Sequence, residues 1–531
     1  MTLMNLTVSN HELRVAAYNL LVSLCNSFAF KINSNLLEAT DIAIPKNSRH
    51  FTVRVSRELA QTEPAMTLEF LQQSLDGFSN ADKVSQVLVL DYISPWLHNL
   101  GTYSLGESNN NAEKTESKMK EIITSLISLT LRETEEIGPA ILTHVWQTLG
   151  KCPKILDNIL ESLLTHSTSK DGSSQLPPGK DSKDTSLLSS IGTKTMDCFE
   201  DIILTIAAQL PSLVTGKLLQ LFFQLVNSTT ESDNKSDRIE KNTTWVKIEI
   251  LIRWFLILSF DNLLCVHMYL PELFHLIILT FFSGDALIRS SIYALFINII
   301  HSIITSNEKI CPEDKLQKLK LLFNQYHEVQ YQLHFGIGGK STYAPFLKLA
   351  DRDAKIENFP ITQVENVANS LYQVLNCLTT NVSCIGIPQH TQWLNLTTKT
   401  AFTKNPFFQP RAICCIGTIS QSPDLVSDDL VTKLLVLLRD ALIDCSSGVC
   451  ISPSHPSSFP LLFSHSPTLT FAFCFLSLTP PLYYFLSSFI RSSTSSICVP
   501  LCPSPFPLSH WQYYFLYYFP YYIQISFSII T

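Results

Sequence analysis

The sequence is organised around two apolar runs of helix length that are separated by a short polar turn. They lie in residues 270–302, LPELFHLIILTFFSGDALIRSSIYALFINIIHS. Glycine and aspartate favour turns and helix ends, so Ser283-Gly284-Asp285 predicts a break between two helices. The stretch therefore predicts an αα-hairpin, a design that the rest of the chain repeats with variations.

The second run of this hairpin is apolar on several faces. Asp285 is placed to cap its first turn, and Arg289 and Asn298 lie off its apolar stripe. Apolar side chains recur along it at helical spacing: Ile288, Ile292, Leu295, Phe296 and Ile299. A helix of this kind cannot stand alone in water and must be sandwiched between neighbours. Stacked hairpins provide those neighbours.

An arginine just inside a helix start recurs at three places in the chain. Arg14 lies in NHELRVAAYNLLVSL, Arg289 lies in the hairpin, and Arg411 lies in QPRAICCIGTIS. Together they suggest one position of a degenerate helical repeat of the HEAT or armadillo kind. The alternative is three unrelated amphipathic helices that each carry an arginine near the start.

The charge and the cysteine content narrow the class of protein. The formal net charge is -7, so nucleic acid is not expected as the principal partner, because that binding needs a basic surface. The 14 cysteines show no C-x-x-C pair and no Cys/His ligand spacing. This predicts buried reduced thiols in a cytosolic protein, without a zinc site or a disulfide framework.

Matches to the glycosylation pattern N-x-[ST] include those at Asn5, Asn227, Asn242, Asn381 and Asn395. The N-terminus MTLMNLTVSNHELR lacks a basic region followed by an apolar one, so no secretory signal is predicted. Without such a signal these matches are expected to be chance, and the expected location is cytoplasmic.

Helical patterns run through residues 1–447 and predict an all-α, HEAT/armadillo-like α-solenoid. Residues 31–57 are the exception, predicted to be irregular with a short β-like run, FTVRV. Polar, mobile loops are predicted near 104–118, 166–186, 227–242 and 336–361. Besides the hairpin, the predicted helices lie at 1–28, 64–79, 81–100, 118–132, 139–149, 153–164, 187–209, 212–226, 245–259, 312–327, 362–380, 391–402, 411–420 and 427–444.

The last part of the chain, residues 448–531, differs in composition from the rest. From Val449 onward only one charged residue occurs, Arg491. Apolar runs such as SPTLTFAFCFLSLTPPLYYFLSSFI reach transmembrane length, but Pro480-Pro481 interrupts the first. The prevailing residues have pyrimidine-rich codons, and valine codons begin with GT, as an intron does. We therefore hypothesise that this tail is translated intron sequence. The alternative is a genuine tail that is disordered, aggregation-prone or membrane-associated.

The motif HFGIGGKST, residues 334–342, is similar to a phosphate-cradling loop. Such a loop needs a glycine five positions before the glycine that precedes its lysine. Counting back from Gly339 gives His334, and Gly336 is misplaced. A flexible loop between helices is therefore preferred to nucleotide binding.

Cysteine and histidine chemistry is weighed against packing at two further places. Cys414 and Cys415 lie in an apolar helix, whereas a reactive thiol needs an electropositive, accessible setting. His275 and His301 could meet across the hairpin as metal ligands, but satisfied core histidines are far more common. Packing is preferred at both places.

The remaining polar and aromatic candidates are also expected to be structural. Asp351 and Asp353 around Arg352 predict a solvated loop. Four tryptophans are expected to anchor packing between repeats: Trp96, Trp146, Trp245 and Trp254.

Seven short segments resemble neurofibromin, in the same order and with similar spacing. They are LRVAAYNLL (13–21), EPAMTLEFLQQSLDGFS (63–79), YISPWLHNL (92–100), VWQTLG (145–150), LPELFHLI (270–277), INIIHS (297–302) and NPFFQPRA (405–412). The resemblance covers about residues 10–445. It is to the part of this Ras GTPase-activating family that follows the catalytic domain and the CRAL-TRIO/pleckstrin-like module.

The resemblance implies a HEAT/armadillo-like scaffold, a region associated in the family with dimerisation and with placing the catalytic domain. The family accelerates GTP hydrolysis by Ras and so damps Ras signalling. The catalytic domain with its arginine finger would lie before Met1, so no catalytic residue is transferred to this chain. Arg14, Arg289 and Arg411 sit in repeat-like helices, where packing or capping is expected.

The sequence as a whole predicts a non-catalytic scaffold fragment of a neurofibromin-like negative regulator of Ras signalling. No catalytic, cofactor-binding or metal-ligating residue is predicted, and no cofactor. The expected partners are proteins, including a second copy of the chain, with Ras engaged only indirectly; membrane contact is left open. The rivals are a helical enzyme, an unrelated helical-repeat adaptor and a membrane protein anchored by its tail.

Overall fold

The computed structural model describes the chain in separate stretches. These are residues 2–6, 10–30, 48–103, 112–133, 136–168, 193–229, 239–306, 312–337, 361–378, 388–403, 405, 407–420 and 427–448. They belong to one compact unit, Met1–Ser477, whereas a second unit, Leu478–Thr531, lies outside them. Every regular element within the described stretches is helical, which confirms the all-α prediction. The predicted boundary between residues 447 and 448 stays a prediction.

Short connections join most of the successive helices. In chain order these are α1 (Thr2–Asn5), α2 (His11–Phe28), α3 (Ser48–Thr62), α4 (Thr67–Phe78), α5 (Lys83–Tyr103), α6 (Ala112–Arg132), α7 (Gly138–Ile141, continued by the π-helical Leu142–Trp146 and by Gln147–Gly150), α8 (Leu156–Thr168), α9 (Thr193–Ala207), α10 (Pro211–Ser228), α11 (Trp245–Phe260), α12 (Val266–Thr280), α13 (Ala286–Thr305), α14 (Glu313–Tyr326), α15 (Val329–His334), α16 (Ile361–Cys377), α17 (Gln389–Ala401), α18 (Gln409–Ile419) and α19 (Asp428–Gly448). Short 3-10 turns at Pro64–Met66, Pro153–Ile155 and Ile239–Lys241 precede α4, α8 and α11.

The helices stack as pairs in two rows. In one row α3, α5, α7, α9, α11 and α13 each contact the next, and α14, α16 and α18 continue it. In the other row α4, α6, α8, α10 and α12 follow one another, and α17 packs against α12. Stacked αα-hairpins produce this pattern of alternate contacts, because each pair covers the apolar face of the pair before it. The solenoid-like fold predicted from the sequence is confirmed.

Ion pairs mark the register between neighbouring helices of each row. They are Glu69–Lys118 between α4 and α6 at 2.9 Å, Asp157–Lys217 between α8 and α10 at 2.8 Å, and Glu200–Arg253 between α9 and α11 at 2.7 Å. Pairs near the surface contribute little to stability, about 0 to 1 kcal/mol each. They are useful instead as markers of which helices are neighbours.

The four tryptophans singled out from the sequence are buried, as predicted. Trp96 on α5 donates its indole N–H to the hydroxyl of Ser56 on α3 at 2.8 Å. Trp146 on α7 donates to the hydroxyl of Thr130 on α6 at 3.0 Å. The indoles of Trp96 and Trp146 therefore combine apolar burial with a satisfied polar group across a helix interface.

The predicted central hairpin is present as α12 and α13. Asp285 caps α13, and its side chain accepts a hydrogen bond from the Ile288 N–H at 2.9 Å. Gly284 has a φ of +78°, and a Cβ atom there would lie 3.1 Å from Ile288 and 3.2 Å from the ring of Trp245. The turn requires glycine both for its left-handed backbone and for the close approach of α11.

One helix among the described residues, Ala286–Thr305, is long and apolar enough to cross a membrane. This helix is α13, and it contacts α11, α12 and α14. Its packing explains its apolar composition as that of a core helix in the stack.

The structure corrects the prediction for residues 31–57. Residues 48–62 form α3, so the run FTVRV is helical and not β-like. The side chains of Phe51, Val55 and Leu59 are buried at intervals of four residues, which is a helical period. Five residues are too few to separate this period from the alternation of a strand.

The predicted loops are also shorter than expected wherever the structure describes them. Helix α6 begins at Ala112, inside the predicted loop 104–118, and α8 extends to Thr168, inside 166–186. The loop residues 104–111, 169–186, 230–238 and 338–360, the motif at Asn381 and the tail from residue 449 lie outside the described residues.

The ends of the predicted loop 227–242 contain buried residues, which contradicts the prediction of a polar, mobile loop at these ends. Thr229 is buried, and its hydroxyl accepts a hydrogen bond from the Asn405 amide at 2.6 Å. Asn242 is also buried, and its side-chain oxygen accepts from the Thr244 N–H at 2.9 Å. Polar side chains are buried here because hydrogen bonds satisfy them. The glycosylation match at Asn242 is therefore part of a packed turn.

Candidate functional site

Charged side chains from four elements surround the turn between α12 and α13. They are Glu240 from the 3-10 turn before α11, Glu249 from α11, Asp285 and Arg289 from the start of α13, and Arg411 from α18. We refer to these five side chains together with the turn as the central junction.

Arg411 reaches from the first turn of α18 into the backbone of the central junction. Its Nη1 donates to the carbonyl oxygens of Leu279 and Phe281, the latter at 2.9 Å, and its Nη2 donates to the Ser283 hydroxyl at 2.9 Å. The guanidinium also lies 5.5 Å from the centre of the Phe281 ring. Arg411 thereby caps the last carbonyl groups of α12.

The charge of Arg411 is carried in the core, since only 7% of the residue is exposed. Burial lowers the pKa of Arg411 to about 10, and the Glu240 carboxylate opposes this shift. At neutral pH the guanidinium remains charged, and carbonyl dipoles at a helix C-terminus stabilise that charge. The buried Arg411 guanidinium therefore joins α18 to the C-terminal end of α12.

Arg289 fixes the other side of the turn to the end of α15. Its Nη1 donates to the carbonyl oxygen of Gly336 at 3.2 Å, and the guanidinium lies 5.7 Å from the centre of the Phe282 ring. A Cβ atom on Gly336, whose φ is +69°, would lie 2.6 Å from the Arg289 Nη1. Gly336 is thus required by the arginine contact.

The same contact bears on the phosphate-loop motif. Gly336 follows helix α15, whereas a P-loop glycine follows a strand. The Gly336 carbonyl accepts the Arg289 hydrogen bond, so its role is explained by packing between helices. The rest of the motif, from residue 338, lies outside the described residues.

Two glutamates complete the central junction. Glu240 accepts a hydrogen bond from the Gly284 N–H at 2.9 Å, and Glu249 accepts from the Trp245 indole at 2.5 Å. The pKa of Glu249 is raised to about 7, chiefly by burial; the Trp245 hydrogen bond opposes this rise, and the carboxylates of Asp285 and Glu240 contribute to it. The Glu249 carboxyl therefore changes its charge near neutral pH. Such perturbed groups mark active sites, but structural networks of charges produce them as well.

The three arginines proposed as one repeat position all lie at the third or fourth residue of a helix, in α2, α13 and α18. Arg289 and Arg411 share a further property, because each donates to backbone carbonyls at the end of another helix or turn. Arg14 is half-buried in α2. For Arg289 and Arg411 the structural role expected from the sequence, packing or capping, is confirmed.

The two histidines considered as metal ligands have other partners. His275 is fully buried on α12, and its Nε2 lies 2.8 Å from the Thr400 hydroxyl on α17. Burial lowers its pKa to about 3, so the ring is neutral at physiological pH. His301 packs against the ring of Phe323 on α14, with centroids 5.9 Å apart. Within the described residues no group of three His, Cys, Asp or Glu side chains could hold a metal ion.

Cys414 and Cys415 are both buried in α18. Burial raises the pKa of the Cys415 thiol, so it remains protonated, and the Thr397 hydroxyl lies 4.0 Å from its sulfur. A protonated thiol in the core is a poor nucleophile. The preference for packing over covalent chemistry is supported. Asp351, Arg352 and Asp353 lie outside the described residues.

Sequence reasoning missed a polar seam between α5 and α7. Asp91 pairs with Arg49 and with His144, whose Nε2 lies 3.1 Å from the carboxylate. One turn further along, Ser94 and Thr148 join their hydroxyls at 2.9 Å. The partners are more than forty residues apart, so no local motif could have revealed them. Ser94 contacts Thr148 and His98 contacts Cys152, and in both pairs the partners are 54 positions apart in the sequence. This shared spacing has a meaning only once the two segments are known to lie side by side.

A cleft of about 280 Å³ lies between the α11–α12 turn and the C-terminal end of α13. Its lining includes Asn262, Cys265, His267 and Thr305. This volume is below the range typical of small-molecule sites, about 300 to 1,000 Å³. Burial raises the pKa of Cys265, so the thiol in this cleft is not activated.

Comparisons with known proteins identify two relatives in Saccharomyces cerevisiae. Inhibitory regulator protein IRA1 is 24% identical over 443 residues, which cover 81% of this chain and 13% of the relative. Inhibitory regulator protein IRA2 is 21% identical over 439 residues, which cover 82% of this chain and 13% of the relative. The chain is a homologue of these regulators and corresponds to a small part of their length. No protein-family profile matches the chain.

Proposed function

We propose that this chain is a scaffold segment of a neurofibromin-like negative regulator of Ras signalling. The observation that carries the proposal is the similarity to IRA2 over 82% of the chain, which no single shared motif would produce. The ordered neurofibromin-like segments and the stacked hairpins support the same family and the same region of it.

The proposed role is non-catalytic and consists of presenting surfaces to other proteins, including a second copy of the chain. A two-row stack of hairpins suits this role, since every added pair extends the exposed surface. The central junction supports the proposed non-catalytic role, because Arg289, Arg411 and Glu240 all form hydrogen bonds with backbone groups of turns. A helical enzyme would instead need its charged groups aimed into a cleft.

The proposed link to Ras is indirect and runs through a GTPase-activating domain carried by a longer form of the protein. In this arrangement the helical stack positions that domain and pairs two copies of the regulator. The cytoplasm is the proposed location, because Ras regulators of this family act there.

The non-catalytic proposal is tested by measuring GTP hydrolysis by purified Ras in the presence of the chain. We expect the intrinsic rate of Ras to be unchanged, with a bona fide Ras-activating domain as the positive control. Acceleration by the chain alone, proportional to its concentration, would contradict the proposal.

The proposed self-association is tested separately by light scattering coupled to size-exclusion chromatography. We expect a species of twice the chain mass of 59.8 kDa that dissociates on dilution. A monomer at every concentration would remove dimerisation from the proposal and leave the scaffold role for other partners.

A further inference from the structure

The cleft beside the α11–α12 turn lies where two helices of one row end. It has a volume of about 280 Å³ and is bounded by that turn, the first turn of α12 and the last turn of α13. We refer to this space, with Asn262, Val266, Ser302, Ile303 and Thr305 among its lining residues, as the terminal cleft. Sites for free small molecules typically measure about 300 to 1,000 Å³, whereas a single long side chain needs less space.

Helices α11 and α13 run parallel, so their C-terminal ends lie at the same side of the stack. At their N-terminal ends, a Cβ atom on Gly284 would lie 3.2 Å from the ring of Trp245. Towards their C-terminal ends, the Asn298 amide donates to the Ser259 hydroxyl at 2.8 Å. Each helix C-terminus carries about half a negative elementary charge. Neither helix has a basic residue in its last turn to compensate that charge.

The first turn of α12 brings one positive helix end to the same place. Part of this end is already satisfied, because the Met268 N–H donates to the Cys265 carbonyl at 2.9 Å. The lining residues that the structure describes include no Lys, Arg, Asp or Glu. Asp261, which precedes Asn262 in the turn, is exposed and adds negative charge. Two negative helix ends against one positive end make the terminal cleft suited to a cation.

The lining combines hydrogen-bond acceptors with an apolar wall. Val266 and Ile303 are buried and supply the apolar part. Asn262 contributes an amide oxygen. The Thr305 hydroxyl donates its proton to the His301 carbonyl at 2.8 Å, so its oxygen can still accept a hydrogen bond. The carbonyl groups of the last turn of α13 have no acceptor role further along the helix. Such a lining suits the planar guanidinium and the carbon stem of an arginine.

We propose that the terminal cleft receives an arginine side chain of a partner protein. The guanidinium donates to Asn262, to Thr305 and to the last carbonyl groups of α13, and the stem packs on Val266 and Ile303. Arginine is favoured over lysine because its five donors in a fixed fork can serve several acceptors at once. The proposal rests on the scaffold function, since it names the chemistry by which the stack recognises a protein.

The test is binding of blocked amino acids to the whole chain, measured by saturation-transfer NMR. Acetyl-arginine methylamide is compared with acetyl-citrulline methylamide, which has the same shape but no charge. We expect the arginine probe to bind at least about fivefold more tightly, and equal affinities would overturn the proposal. Free L-arginine is the third probe. Tighter binding of the free amino acid than of the blocked one would overturn the assignment to a protein side chain, since it would indicate a small-molecule site.

Two substitutions change the charge of the terminal cleft in opposite directions. Asn262 has a φ of 55°, which aspartate also tolerates, so Asn262→Asp adds a carboxylate with little change of shape. It should raise the affinity for the arginine probe about fivefold and leave the citrulline probe unchanged. Thr305→Lys supplies an internal cation at the exposed end of α13 and should lower the affinity at least about fivefold. The matched control is Ser228→Lys at the exposed end of α10, which should change the affinity by no more than about twofold.

Equal losses in Thr305→Lys and Ser228→Lys would overturn the proposal, because the probe would then respond to net charge alone. Unchanged affinity in both Asn262→Asp and Thr305→Lys would overturn it too, because the probe would then bind elsewhere. Circular dichroism of each variant verifies that the fold is kept. Failure of these tests leaves the Ras hydrolysis and light-scattering results unaffected, so the proposed function is judged separately.

Discussion

Replacing Glu249 by glutamine should make the protein more stable at high pH and leave it almost unchanged at low pH. Burial among α11, the 3-10 turn and the start of α13 raises the pKa of Glu249 from an ordinary 4.5 to about 7. The folded state therefore binds the proton more tightly than the unfolded state. For this sign of shift, stability falls as the pH rises between those two values and is constant outside them.

The magnitude follows from the same two values. The difference between 4.5 and about 7, at about 1.4 kcal/mol for each pH unit, corresponds to about 3 kcal/mol. Partial solvent access and relaxation of Glu240 reduce the expected effect to about 2 kcal/mol. Glutamine keeps the carbonyl oxygen that accepts the Trp245 indole hydrogen bond, and it carries no charge to repel Asp285.

The assay is urea unfolding of both proteins at about pH 4 and about pH 8, followed by far-ultraviolet circular dichroism. The Glu249→Gln protein should match the unmodified chain at the lower pH and exceed it by about 2 kcal/mol at the higher one. Glu121→Gln, on the exposed side of α6, serves as the matched control. A Glu249→Gln protein that is less stable at about pH 8 would refute the reasoning, since it would show that the carboxylate is stabilising when charged.

Further predictions address the arginine, the turn and the tail. Arg411→Met should lower the free energy of unfolding in urea by about 3 kcal/mol, because it leaves buried carbonyl groups of α12 unsatisfied. Arg411→Lys should lower it less. Equal stability of Arg411→Met and the unmodified chain would contradict the capping role. Gly284→Ala should cost about 1 to 2 kcal/mol because the position has a φ of +78° and a Cβ would lie 3.1 Å from Ile288. Gly77→Ala, where a Cβ would meet nothing within 4 Å, should instead stabilise α4 by about 0.5 to 1 kcal/mol, and a loss at both glycines would contradict the argument from turn geometry. Sequencing of the transcript should show splicing at or near the codon of Val449; a spliced message that still encodes the residues after it would refute the intron hypothesis.

The central hairpin could be predicted from the sequence because its signals are local. Asp285 stands at the start of an apolar helical run and Gly284 stands beside it, and the structure uses both in the way that capping and turn preferences predict. Short-range rules of this kind also located most of the helices. They failed for residues 51–55, where five residues satisfy a helical and an alternating pattern equally well.

Contacts between residues far apart in the sequence could not be predicted in the same way. Arg411 bonds to the Phe281 carbonyl, 130 residues away in sequence, and Asn405 bonds to Thr229 across 176 residues. Nothing near either residue specifies such a partner. The perturbed pKa of Glu249 depends on burial and on carboxylates from two other elements, so it emerges only when the helices are assembled.

The central claim is that alternate helices are neighbours in a two-row stack. Zero-length carbodiimide cross-linking of the whole chain, read out by peptide mass spectrometry, tests this claim most directly, because it joins only carboxylates and amines already in contact. The account predicts cross-links between Lys118 and Glu69 and between Lys217 and Asp157, which lie 2.9 and 2.8 Å apart. Absence of both, with lysines of α6 and α10 joined instead to carboxylates of helices outside their own rows, would contradict it.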